Sequence, residues 1–77
     1  MQYLIQIKKH GNGYTAHALD VPGCIAVADS ADEAKADIAE AIALHFEGLA
    51  ADNEAIPQPK SIVDTIDVEM PVTAPIK

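Results

Sequence analysis

The chain has 77 residues, 49% hydrophobic but only 4% aromatic, with a formal net charge of −7 from 5 Lys and 12 Asp plus Glu. A length of this order holds one core, so residues 1–77 read as a single domain. The acidic balance argues against direct contact with nucleic acid or with an anionic membrane, both of which want basic patches. It suits a basic protein partner, and equally plain solubility.

Residues 2–9 alternate, with Tyr3, Ile5 and Ile7 on one side and Gln2, Leu4, Gln6 and Lys8 on the other. This is the period of a half-buried strand. His10-Gly11-Asn12-Gly13 is a tight turn, because Gly and Asn tolerate positive φ. Tyr14 to Leu19 resumes the strand and completes a β-hairpin. Alanines on both sides of this strand suggest that the outer face of the sheet is not fully wet. Asp20-Val21-Pro22-Gly23 reverses the chain again, and Cys24 to Ala28 reads as a short third strand. Ser30-Ala31-Asp32-Glu33 is a capping box that opens a helix. Its acids suit the positive end of the helix dipole. Good helix formers continue to about Ala51, with Ile38, Ile42 and Leu49 on one stripe and Ala34, Ala41, His45 and Phe46 in it or beside it. Asp37, Glu40 and Glu47 fall on other faces. Asp52-Asn53-Glu54 loosens the helix end, and Pro57 and Pro59 forbid its continuation. Thr65 to Met70 alternates again, with Ile66, Val68 and Met70 opposite Asp67 and Glu69, and is read as a fourth strand. Residues 72–77 are a frayed tail.

The order β-β-β-α-β gives an α+β two-layer fold. A three-stranded meander and a last strand form the sheet, and one long helix packs on one face. The placement of the last strand stays open. Cys24 has no partner for a disulfide and no ligand set at zinc spacing, so it reads as a buried small hydrophobe in a reducing compartment. No basic leader and no long apolar run follow Met1, so a cytoplasmic protein without a membrane span is expected.

Gly13-Tyr14, the Asp20-Val21-Pro22-Gly23-Cys24 turn, Ser30-Ala31-Asp32-Glu33-Ala34 and Ile56-Pro57-Gln58-Pro59 follow one another in order. Together they resemble the N-terminal domain of HicB-like antitoxins, of the HicA/HicB toxin–antitoxin family, over residues 2–71. That resemblance implies a partial ribonuclease-H-like fold lacking nuclease function. It implies an antitoxin that binds and occludes a small basic RNA-cleaving toxin, HicA-like. Many members of the family carry a C-terminal DNA-binding domain. The sequence stops after the expected fourth strand, so a member without that domain is expected.

The residues offer little chemistry of their own. His10 lies at the hairpin turn, His17 in the second strand and His45 in the helix stripe. No convergence of the three follows from their spacing, so neither a metal site nor a general base is assigned. The acids Asp20, Asp29, Asp32, Glu33, Asp64, Asp67 and Glu69 sit at turns, caps and strand ends or on a solvent face, not around a two-metal pocket. The Gly11-Asn12-Gly13 turn is no phosphate loop. No catalytic residue and no cofactor is expected, and the protein reads as a binding module, not an enzyme. Asp20, Asp29, Leu44, Asp67 and Glu69 are the candidate partner contacts, the acids for a basic partner and Leu44 as an exposed apolar residue off the helix stripe. The small core and the open sheet edges point to a homo-oligomer, dimer or tetramer. The alternative is a small oligomeric ligand-binding protein or enzyme whose site forms at the subunit interface, with His17, His45 or Asp20 in it.

Overall fold

Residues 1–71 are described by a computed structural model. Three antiparallel strands, β1 (Ile5–His10), β2 (Gly13–Ala18) and β3 (Ile25–Ala28), form a sheet in the order β1-β2-β3. One helix, α1 (Ala31–Ala51), packs across one face.

Local chemistry explains each reversal. In the β1–β2 hairpin His10 pairs with Gly13, so the loop is Gly11-Asn12 alone. Gly11 takes φ 53° while Asn12 stays at negative φ. This is the pattern of a II′ turn, whose twist matches that of the strands. After β2, the Cys24 amide donates to the Val21 carbonyl at 3.3 Å. Pro22 and Gly23 are the two central residues of this turn, and Gly23 has φ 82°. That is a type II turn, in which Pro presets the first φ and Gly accepts the positive second one. The turn folds Val21 inward, where it is fully buried, and Cys24 lies free and buried beside it.

The helix has both ends closed. The Ser30 hydroxyl accepts from the Glu33 amide at 3.1 Å, as the capping box requires. At the far end the Glu54 amide donates to Leu49 and the Asn53 amide to Ala50. Asn53 is at φ 56°. These two bonds and the left-handed residue make a Schellman motif, so Asp52-Asn53-Glu54 closes the helix instead of loosening it.

Registry fixes the two faces of the sheet. Ala16 and Ala18 face the helix and are buried, and Ile7 and Ile5 lie directly across from them on β1. Gln6, His17 and Ile25, then Lys8, Thr15 and Val27, form rows on the outer face. That face is wet: Ile25 and Val27 are 58% and 70% exposed. The alanines of β2 reflect close approach of the helix, not a second covering layer.

The core is Ala16, Ala18, Val21, Cys24, Ala34 and Ile38, with Ile5, Tyr14, Ile42 and Phe46 packed at its margin. Only Ile38 and Val21 are large and fully buried. The covered positions Ala34, Ile38, Ile42 and Phe46 are four apart. A line at that spacing winds around the helix by about 40° each step. It therefore turns Phe46, not His45, toward Tyr3, whose ring lies 5.2 Å away. His45 is exposed, contrary to its expected place in the apolar stripe.

The fourth strand over Thr65 to Met70 does not form. Residues 54–71 carry no regular structure, and Ile66, Val68 and Met70 are 84%, 66% and 56% exposed. An alternating pattern becomes a strand only when an edge supplies hydrogen bonds and a core face, and within the described residues this segment meets neither. The expected tail, 72–77, lies outside the described residues.

Because one large side chain fills most of the helix–sheet space, Ile38→Ala is expected to cost about 2–5 kcal/mol of stability. Ser30→Ala removes one cap and is expected to cost about 1 kcal/mol. Thermal unfolding followed by circular dichroism checks both, and an Ile38→Ala effect no larger than that of Ser30→Ala would contradict this packing.

Candidate functional site

Among the described residues, Asp20 is the most connected polar side chain. It is 8% exposed, because the β2–β3 turn folds it under the segment that returns from the helix. One carboxylate oxygen accepts from the Lys60 and Ser61 amides, each at 2.8 Å, and the other accepts from the Ser61 hydroxyl at 2.6 Å. The Ser61 hydroxyl, the Ser61 amide and the Lys60 amide hold the carboxyl below its ordinary value of 3.8. Hydrogen bonds to the charged form favour that form. A second tie lies nearby: the Tyr3 hydroxyl donates to the Pro57 carbonyl at 2.6 Å. Asp20 and Tyr3 together thus hold the chain from Pro57 to Ser61 against the sheet. Nothing in the sequence pairs position 20 with positions 60 and 61, which lie forty residues on.

The other candidate contacts are all on the surface. Asp29 is exposed between β3 and the helix cap, Leu44 is 61% exposed on the helix, and Asp67 and Glu69 are exposed on the segment after the helix. The structure gathers them into no common pocket. His10 ends β1, His17 is on the outer sheet face and His45 on the helix, all three exposed. Among the described residues, no group of three or more His, Cys, Asp or Glu could hold a metal ion.

The helix also carries a charged face. Glu33, Asp37, Glu40, Leu44 and Glu47 are all exposed and spaced alternately four and three apart. At about 100° per residue they fall on one stripe, opposite Ile38. The result is an acidic ridge with Leu44 set in it. The four–three spacing of these acids carries the signal in the sequence itself.

An apolar groove of about 270 Å³ opens between β1 and the helix, lined by Tyr3, Ile5, Lys35, Ile38, Ala39 and Ile42. Lys35 turns to this groove, so the helix separates its charges, with acids on the ridge and the lysine at the flank. No helix among the described residues is long and apolar enough to cross a membrane.

Comparison with known proteins gives two findings. Residues 3–71 match the model of a family described as "HicB_like antitoxin of bacterial toxin-antitoxin system". The chain is also 39% identical, over 67 residues, to a protein of Haemophilus phage HP1 (strain HP1c1) described as "Uncharacterized 14.9 kDa protein in rep-hol intergenic region". The matched stretch is 87% of this chain and 50% of the phage protein, so the chain spans about half the length of that relative. No solved structure matches.

The Asp20 anchor has a pH signature. Its folded-state pKa lies below the ordinary value, so its stabilisation is present in full above that value and is lost as pH falls through the depressed one. Asp20→Asn is therefore expected to lower the melting temperature at neutral pH. The gap from the parent should narrow as pH falls below about 4. Melting temperatures of the two proteins across the acid range test this, and a gap independent of pH would exclude the carboxylate as the anchor.

Proposed function

The chain belongs to the HicB-like antitoxins of bacterial toxin–antitoxin systems, and on that premise we propose that it binds and covers a small basic ribonuclease toxin of the HicA-like kind. The observation that carries the reading, beside the family, is the acidic ridge Glu33, Asp37, Glu40 and Glu47 with Leu44 in it. A basic nuclease must hold an RNA phosphate backbone, so its working face is positive. An acidic ridge on a rigid helix is complementary to such a face. Opposite fields speed the encounter, and a desolvated apolar residue within the patch slows release. Leu44 is the anchor in this reading. Asp29, at the N-terminal end of the same helix, and Asp67 and Glu69 extend the acidic surface. Asp20 contributes through the segment it holds. Inhibition is by occlusion, so the chain itself performs no reaction and needs no cofactor. The fold class supports this role without requiring the rest of a ribonuclease-H-like architecture. A site in the reducing cytoplasm, where such a toxin would act, agrees with the single free thiol.

Co-expression with the small basic protein encoded beside this chain is the direct test. Growth arrest by that protein is expected to be relieved by the parent chain. Persistent arrest, or the lack of such a neighbour, would sink the proposal. In purified components, Leu44→Asp is expected to weaken the complex about tenfold or more, equal to about 1.4 kcal/mol or more. The pair Asp37→Lys and Glu40→Lys is expected to slow association and flatten its salt dependence. Both sites are exposed, so the variants should melt close to the parent.

A further inference from the structure

Among the described residues the sheet has two open edges, β1 and β3, and charge distinguishes them. We propose that the β3 edge receives an extended strand of the basic partner. Apolar side chains of that strand lie beside Ile25 and Val27 on the outer face, and basic ones lie under the acidic flank of the helix. This rests on the antitoxin reading and names where on the chain the partner is held.

The backbone of β3 is half unused. The Ala18 amide donates to the Cys24 carbonyl at 3.3 Å, and Ala16 lies opposite Ala26 and Tyr14 opposite Ala28. Hydrogen-bonded positions alternate in an antiparallel pair, so Cys24, Ala26 and Ala28 turn their backbone groups to β2. Ile25 and Val27 turn theirs outward. Among the described residues no strand takes them up. The arm after the helix is tied at Tyr3 and Asp20 instead. The side chains of the same two residues are 58% and 70% exposed on the outer face. Edges that must stay alone carry a Lys, a Pro or a bulge. Ile25-Ala26-Val27-Ala28 has none of these. A strand laid here completes the hydrogen bonds and covers both side chains together.

The helix sets the sign of the partner. With Ile38 pointing to the core, Lys35, Ala39 and Ile42 lie on one flank and line the groove beside β1. At about 100° per residue, Asp37, Ala41 and Leu44 lie on the opposite flank, toward the β3 side, with Glu33 next to them. Only Asp29 and Ser30 separate β3 from the helix, which packs over β3 and β2. Its first two turns, with Glu33 and Asp37, therefore run back above β3. An added strand sends alternate side chains to this inner face. Long basic ones there meet the carboxylates of Glu33 and Asp37, and Asp29 adds a third at the end of β3. The β1 edge carries the opposite sign: Lys9 lies over the Tyr14 ring and Lys35 flanks the groove. A basic strand is attracted at β3 and repelled at β1. A nucleic acid fits β3 poorly, because its phosphates would face these acids.

Amide exchange of the whole chain, read residue by residue by NMR, tests the proposal with and without the basic protein encoded beside it. In the free chain the Ile25 and Val27 amides are expected to exchange freely, while β2 protects those of Ala26 and Ala28. In the complex the Ile25 and Val27 amides are expected to slow by about tenfold or more. Val27→Pro removes an outward donor and leaves the β2–β3 ladder complete. It is expected to weaken the complex by about tenfold or more. Val27→Lys keeps the amide and puts a charge where the partner's apolar side chains pack, and is expected to weaken binding to a similar degree. It changes only an exposed side chain, so it carries the test where Pro disturbs the fold. A complex in which these amides exchange as in the free chain, or one that Val27→Lys leaves as tight as the parent, overturns the proposal and leaves the antitoxin reading in place. So does protection in the free chain that grows with its own concentration, which puts a second copy on the edge. Absence of any complex sinks both readings.

Discussion

Three hydrogen bonds to one carboxylate hold together two parts of the chain forty residues apart. Asp20 sits at the end of the β2 hairpin arm, on the turn that also buries Val21 and Cys24. Its oxygens take the Lys60 and Ser61 amides and the Ser61 hydroxyl. A buried carboxylate without such partners would be costly. This contact fixes the chain at Lys60 and Ser61, just before the segment that carries the exposed Ile66, Val68 and Met70.

The same fold is short of large side chains at its centre. Four of the six core residues are Ala or Cys. Small residues on β2 and on the helix let the two layers approach closely, and Ile38 and Val21 fill what remains. A domain of this size gains little from such a core. It still exposes Ile25, Val27, Leu44, Ile62, Ile66 and Val68 by more than half. These residues are not scattered at random. They lie on the outer sheet face, on the helix ridge and along the arm, which are the surfaces that a partner or a second copy can cover.

Charge is sorted in the same way. The helix turns its acids outward on one ridge and Lys35 toward the groove, while Lys8 and His10 lie along the outer face of β1. The acidic ridge and the open edge of β1 thus occupy different sides of the molecule.

Local signals were enough for the three strands, both turns and the whole of the helix, because each is set by neighbours in sequence. Gly11 and Gly23 supply the positive φ of their turns, Pro22 presets the second turn, and Ser30 with Glu33 starts the helix. The family was legible for the same reason, since its pattern is made of these folding devices in order. Interactions between distant positions were not legible. Residues 65–70 have the alternation of a strand, but a strand needs an edge, and only the tertiary structure shows that β1 and the arm stand apart. His45 has the spacing of a core residue, but the covered line winds away from it toward Phe46. Asp20 reads as a surface acid until Lys60 and Ser61 are seen to lie on it. Sequence determined the elements because helices and turns are short-range; the tertiary structure decided which polar groups are used internally and which apolar ones are left open.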